Sequence, residues 1–348
     1  MQGARFLFIV PDQKAPSGGT AVLYDCAVVL DRLGHDAVML HESPSGAYVN
    51  ATVNPKRAYC GAIRRARWRR GGVFRRLRAR LKHAIDVIRG GANPHLRPSH
   101  DDVLVVPEYL LDLAHDAYPL QRKVVFVQNP FAYTRACAEA MRRGMDPQSG
   151  VVRTLCASRA CMEGAEAAGA GPVSYVPVTP DLTRFGYCED KARKIAYMPR
   201  KRGDEAIVMA DALRRRGRIG DFELVEIDGR PQAEVARILR ESLVFVSLMK
   251  DEGLGFPAIE AMSSGCVTIG YVALGAREFF DVETGIPVED GDTLALVKAV
   301  EAVVAEYDAD PSRLDALRAT ASAQVRERYA RPVFEQALQE AWQSMVAR

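Results

Sequence analysis

The sequence predicts an α/β protein made of two doubly wound domains, each a parallel sheet covered by helices on both faces. Three observations carry that expectation. Short apolar, β-branched runs alternate with longer amphipathic stretches, twice over along the chain. The 348 residues are enough for two cores of ordinary domain size. A glycine-rich turn follows the first strand, and another follows a late strand.

In the first series, Phe6–Val10 reads as a strand and Ala21–Leu33 as an amphipathic helix. Ala37–Leu40, Val103–Val106, Val124–Val127 and Thr154–Ala157 read as further strands of the same sheet. A second series opens near Val173, with Lys194–Met198, Phe222–Ile227, Leu243–Leu248 and Val267–Ile269 as strands. The stretch from Val333 to Val346 reads as a closing helix, and no internal repeat is visible.

Composition narrows the function classes. Hydrophobic residues make up 48% and charged residues 26%, which excludes a disordered chain. Seven cysteines, an odd number with no CxxC pair, point to reduced thiols and not to a disulfide framework or a zinc site. The run from Arg5 to Val10 is too short for a signal sequence and is stopped by Pro11-Asp12. No apolar run approaches the ~18 residues of a membrane span. These readings predict a cytoplasmic protein.

The most informative segment is Glu252-Gly-Leu-Gly-Phe-Pro-Ala-Ile-Glu260, after the strand Leu243–Leu248. Gly253 and Gly255 allow a sharp turn and close approach of a ligand to the backbone. Pro257 suits the start of a helix and Gly265 the position just past its end. Such a helix start presents free N–H groups and the positive end of a dipole to an anion. Two carboxylates beside a phosphate site make sense when the ligand also carries hydroxyls, as a nucleotide sugar does. The plain alternative is an ordinary glycine turn, with Glu260 on a solvated helix face.

Residues 243–300 resemble the signature of glycosyltransferase family 4, Glu-Gly-Phe-Gly-Leu-Pro followed by Glu-Ala-Met. The spacing between the acids is intact, and Leu254 and Phe256 are exchanged. Gly275 and Glu278, Thr284-Gly285 and Gly291-Asp292 match later segments of the family. Ser158, Asp181 and Phe185 match earlier ones. The resemblance implies the GT-B architecture, two Rossmann-like doubly wound domains facing a cleft. It implies an acceptor-binding domain at 1–174, a nucleotide-sugar-binding domain at 175–328, and a helix at 329–348 that crosses back to the first domain.

It also implies roles. Glu252 contacts the transferred sugar, backbone amides of Leu254, Gly255 and Phe256 hold sugar or phosphate oxygens, and Glu260 takes the ribose hydroxyls. Gly18 and Gly19, in the turn after the first strand, match the family's N-terminal glycine loop and approach the donor. The family is retaining: the acceptor hydroxyl attacks from the leaving-group side and the donor phosphate takes its proton. Where the family often has a histidine, this chain has Gln128-Asn129, which can hydrogen-bond a sugar but cannot act as a base. His35 reads as structural.

Tyr197-Met-Pro-Arg-Lys-Arg202 follows a strand, and its cations can neutralise a departing diphosphate. Lys201 is the first choice, Arg200 the second and Arg202 the outsider; a solvated basic turn is the bland alternative.

Residues 56–89 hold thirteen Lys and Arg against one acid, Asp86, a net +12 in a chain whose total is +3. Phe74, Leu77, Leu81, Ile85 and Ile88 recur there at helical spacing. Trp68, Arg75, Arg76, Arg78 and Arg80 therefore form a candidate acceptor or anionic membrane surface. The alternative is a helix packed by its apolar stripe with solvated arginines. One aromatic beside the cluster is thin support for nucleic acid, and none is expected. Asp308-Ala-Asp310 lies between late helices and reads as a turn, so no metal is expected.

The sequence thus predicts a retaining glycosyltransferase that moves a sugar from a nucleotide-sugar donor to a saccharide or lipid-linked acceptor, peripheral to the inner face of a cell membrane. Its Ala- and Arg-rich usage hints at a bacterial envelope or exopolysaccharide pathway. Two alternatives stay open: transfer to a small soluble metabolite, and a non-catalytic membrane- or anion-binding protein on the same scaffold.

Overall fold

The structure is a computed structural model that describes residues 5–12, 18–48 and 53–346; the side chains of Val73, Arg75, Arg76, Arg78, Lys82 and Val346 also lie outside the description. The chain divides into two compact units, Met1–Val176 with Glu335–Arg348, and Pro177–Phe334.

The first unit holds a seven-stranded parallel sheet. Its strands are β1 (Phe6–Ile9), β2 (Ala37–His41), β3 (Lys56–Tyr59), β4 (Val103–Pro107), β5 (Arg122–Val127), β6 (Val151–Cys156) and β7 (Val173–Tyr175), in the order β3-β2-β1-β4-β5-β6-β7. Helices α1 (Gly18–Arg32), α2 (Ala62–Arg69), α3 (Val73–Arg89), α4 (Leu111–Ala117), α5 (Pro130–Arg142) and α6 (Arg159–Ala167) connect them. Strands β1, β2 and β4 are buried at every position, because helices cover both faces of the sheet, and apart from His41 they read as continuous apolar runs. The side chains of Asn129 and Ser158 cap α5 and α6 by accepting from Ala132 N and Cys161 N.

The second unit holds β8 (Ala192–Tyr197), β9 (Glu223–Glu226), β10 (Ser242–Leu248), β11 (Val267–Tyr271) and β12 (Ile286–Val288), in the order β12-β11-β10-β8-β9. All its pairings are parallel. Helices α7 (Gly203–Arg216), α8 (Gln232–Glu241), α9 (Phe256–Ser263), α10 (Thr293–Ala309) and α11 (Ser312–Arg328) wrap it. A last helix, α12 (Arg331–Val346), belongs to the first unit from Glu335 onward, where the fully buried Trp342 meets Phe6 and Phe8 with ring centroids 5.1 and 6.4 Å apart.

The expected α/β class with two Rossmann-like parallel sheets is the observed one. One strand is reassigned. Val173–Tyr175 does not open the second sheet; it pairs with β6 and closes the first. Strands β3 and β12 were not anticipated. Both lie at sheet edges, and their mixed exposure gives no apolar run to read. No described helix is long and apolar enough to cross a membrane. No disulfide joins any of the seven cysteines, and six of them are buried.

Candidate active site

In the second unit the chain leaves β8 for β9 on one side and later returns to β10 on the other. The strand order therefore reverses between β8 and β10, and open α/β sheets bind ligands beyond the carboxyl ends of strands at such a point. Arg200 and Lys201 follow β8, and Glu252 follows β10. Lys201 Nζ lies 2.8 Å from Glu252 Oε1, and Arg200 Nη2 lies 3.5 Å from the same oxygen. Lys201 also donates to the carbonyl of Lys250 at 2.9 Å. The pair stays partly open to solvent, with the Lys201 side chain 34% and the Glu252 side chain 21% exposed.

Backbone conformation shapes the loop between Glu252 and α9. Gly255, with φ +99°, is the residue before the helix, a conformation that disfavours a side chain. A Cβ there would also lie 2.5 Å from Met249 Sδ. Gly275 presses on the loop from outside: a Cβ at that position would lie 1.9 Å from the Gly253 carbonyl oxygen. No side chain caps α9, and the N–H groups of Leu254, Gly255 and Phe256 have no acceptor among the described residues. Free donors at the positive end of a helix are of the kind that can bind an anion.

Glu260 sits in the second turn of α9. Burial, with the Asp181 carboxylate as a second cause, pushes its carboxyl up to about 8. The residue is half-buried, and its side chain has no hydrogen-bond partner among the described residues. An unpaired carboxyl in such a place is expensive for folding unless a ligand supplies donors.

Other sequence-singled residues have local work. Arg202 is buried and points inward. It bonds to Glu205 at 2.6 Å, pairs with Asp290 and stacks over Tyr271 at 4.8 Å, so it is not available to a leaving group. Asp308 pairs with Arg193 at 2.6 Å, and Asp310 accepts from Ser312 N at the start of α11. Among the described residues, no group of three or more His, Cys, Asp or Glu is placed to hold a metal. Asp181 accepts from Thr183 and Arg184 in its own turn, and Glu278 accepts from Tyr329 at 2.6 Å.

In the first unit the strand order reverses between β1 and β4. Gly18 opens α1, and the Gly19 carbonyl accepts from Gln128 Nε2 at 3.0 Å. Residues 13–17 of the preceding loop lie outside the described residues. Two features here escaped sequence reading. Glu108, at the end of β4, is 3% exposed. Burial holds its carboxyl up at about 7, although backbone N–H groups of Gln128 and Asn129 pull it down. Asp12, just past β1, gathers Arg64 Nη2 at 3.0 Å, the Ser43 hydroxyl at 2.5 Å and the Glu42 amide at 3.1 Å. An acid directly after a buried strand is the only signal for either, and it is a weak one.

Of the basic surface residues, Trp68 is half-buried and meets His83 of α3 edge to face at 5.5 Å. Arg80 is exposed. Arg75, Arg76 and Arg78 have side chains outside the description.

Residues 203–306 match the family model described as glycosyl transferases group 1. A curated relative, alpha-1,6-glucosyltransferase of Actinobacillus pleuropneumoniae serotype 7 (strain AP76), is 26% identical over 220 residues. The chain is similar to group 1 glycosyltransferases. That relative is matched over 61% of this chain and 66% of its own length, just under two thirds. Sucrose-phosphate synthase from Thermosynechococcus elongatus superposes with a TM-score of 0.67 at 13% identity, covering 99% of each chain. Anabaena HepE in complex with UDP and glucose superposes at 0.66 and 12% identity, over 98% of this chain and all of that one. Staphylococcus aureus TarM superposes at 0.63 and 9% identity, over 98% and 99%. At such identities these structures establish the shared GT-B fold, and the group 1 match lies within the unit that carries Glu252 and Glu260.

Proposed function

We propose that the protein is a retaining family 4 glycosyltransferase that transfers a sugar from a nucleotide-sugar donor to a hydroxyl of a saccharide or lipid-linked acceptor, in bacterial envelope or exopolysaccharide synthesis. The observation that carries this reading is the Lys201–Glu252 pair at the strand reversal of the second unit, beside the uncapped start of α9. Donor diphosphate oxygens take the N–H groups of Leu254 to Phe256. Lys201 and Arg200 stabilise negative charge as it grows on the diphosphate. Glu252 accepts hydrogen bonds from the transferred sugar, and Glu260 accepts from the ribose. The acceptor hydroxyl attacks on the face the diphosphate leaves, and its proton passes to a phosphate oxygen. Fixed cations fill the role a metal plays elsewhere, so no metal is required and a chelator leaves turnover unchanged.

The name of the Actinobacillus relative and the UDP and glucose bound to HepE favour UDP-glucose as the first donor to try. Membrane contact through residues 56–89 would bring the first unit to a lipid-linked acceptor. The test is a panel of nucleotide sugars offered to the purified protein, with binding, slow donor hydrolysis and transfer as readouts. Binding and hydrolysis of at least one donor are expected; neither with any donor would overturn the reading.

A further inference from the structure

Helix α3 is mounted with its apolar face outward. Phe74 is 91% exposed, Leu77 68%, Leu81 64% and Ile88 84%, all on the stripe that helical spacing defines. The opposite face is the packed one among the described residues. Asp86 accepts from Arg64 at 2.7 Å, and His83 meets Trp68. Arg64 in turn reaches Asp12 at the carboxyl end of β1. A surface helix of a globular domain ordinarily does the reverse, burying its stripe and solvating its charges.

We propose that α3 docks on an anionic lipid bilayer, lying in the interface with Phe74, Leu77, Leu81 and Ile88 among the acyl chains. The proposal rests on the membrane contact suggested above and supplies its surface, orientation and lipid chemistry. Charge selects the occupant. The 56–89 segment carries +12 while the rest of the chain carries −9, so a second copy meeting this face would set two strongly basic segments together. Nucleic acid would satisfy the cations and leave the stripe in water. An anionic bilayer takes both, with headgroups against the exposed Arg80 and Arg89 and hydrocarbon against the stripe. Trp68, turned toward His83, is a packing residue and not part of the inserted surface. Because Arg64 ties α3 to Asp12, docking also places the carboxyl edge of β1 near the membrane, where a lipid-linked acceptor would emerge.

The test is flotation of the full chain with phosphatidylglycerol-containing vesicles and with pure phosphatidylcholine vesicles at physiological salt. Wild type is expected to float with the anionic vesicles only. A Phe74→Ser, Leu77→Ser, Leu81→Ser, Ile88→Ser variant and an Arg80→Glu, Arg89→Glu variant are each expected to bind at least about tenfold more weakly. The substituted side chains are exposed, so thermal melting and the thermal shift given by UDP should match wild type. A lost shift in wild type would count against the transferase reading and leave the flotation result standing. Failure of wild type to float, or equal flotation of the serine variant, would overturn the proposal. So would sedimentation showing a wild-type dimer that the serine variant abolishes without any vesicle binding, since that assigns the face to a second copy.

Discussion

Lys201 Nζ stands 2.8 Å from Glu252 Oε1, a contact assembled from the carboxyl ends of two adjacent parallel strands, β8 and β10. The carboxylate holds the cation in place. Replacing either should cost transition-state stabilisation with little effect on folding, because both are partly solvated. Lys201→Ala and Glu252→Gln are each expected to lower turnover at least about tenfold in steady-state assays. Unchanged rates would remove the pair from the reaction.

If Glu260 takes the proposed ribose-binding role, donor binding is expected to depend on pH. Its carboxyl is held up to about 8, and ribose hydroxyls donating to it would favour the ionised form. Nucleotide affinity is therefore expected to rise with pH up to about 8 and to level off above it. Glu260→Gln should flatten that profile and weaken binding about tenfold. Calorimetric titration across the range checks both.

The same group sets a stability trend. The folded protein keeps this proton up to about 8, whereas the unfolded chain releases it near 4.5, so the folded state binds more protons between those values. Stability from this group is present at low pH and is lost as pH rises through that window. Glu260→Gln should accordingly melt higher than wild type at pH above about 8, and the advantage should shrink toward about pH 5. An advantage that grows toward acid would contradict the burial argument.

Gly275 packs directly against the loop that carries Glu252. Adding one methyl group there forces the Gly253 carbonyl, and with it the Glu252–Gly255 turn, to move. Gly275→Ala is expected to reduce turnover at least about tenfold, with a stability loss of about 1–3 kcal/mol from overpacking. Wild-type kinetics in this variant would show that the loop position is not critical.

Lys191 carries a purely structural prediction. Its ammonium donates to the carbonyls of Leu239, Arg240 and Ser264 at 3.1, 2.9 and 2.7 Å, joining the ends of α8 and α9. Lys191→Met leaves those carbonyls short of a donor and should cost about 2 kcal/mol in urea unfolding, with nucleotide binding retained.

Much of the fold was legible because its central strands are buried on both faces. Phe6–Ile9 and Val103–Pro107 show as unbroken apolar runs, and Leu243–Val246 is the apolar stretch of the strand Ser242–Leu248. The edge strands Lys56–Tyr59, Val173–Tyr175 and Ile286–Val288 were missed or misassigned, because one neighbour and partial solvation leave them no such signature. The glycine turn and the two acids around α9 were equally readable, since their chemistry is local in the chain.

What the sequence determined by itself was everything set by nearest neighbours: strand runs, helix periodicity, caps, the spacing of Glu252 from Glu260 and the charge of residues 56–89. The tertiary structure decided which face of α3 packs, which of three consecutive cations turns inward, and that Lys201 meets Glu252. Periodicity defines a stripe but not the side on which a partner lies, and a contact between two strand ends exists only once sheet order is fixed. Those outcomes depend on pairing between distant segments, which no local pattern encodes.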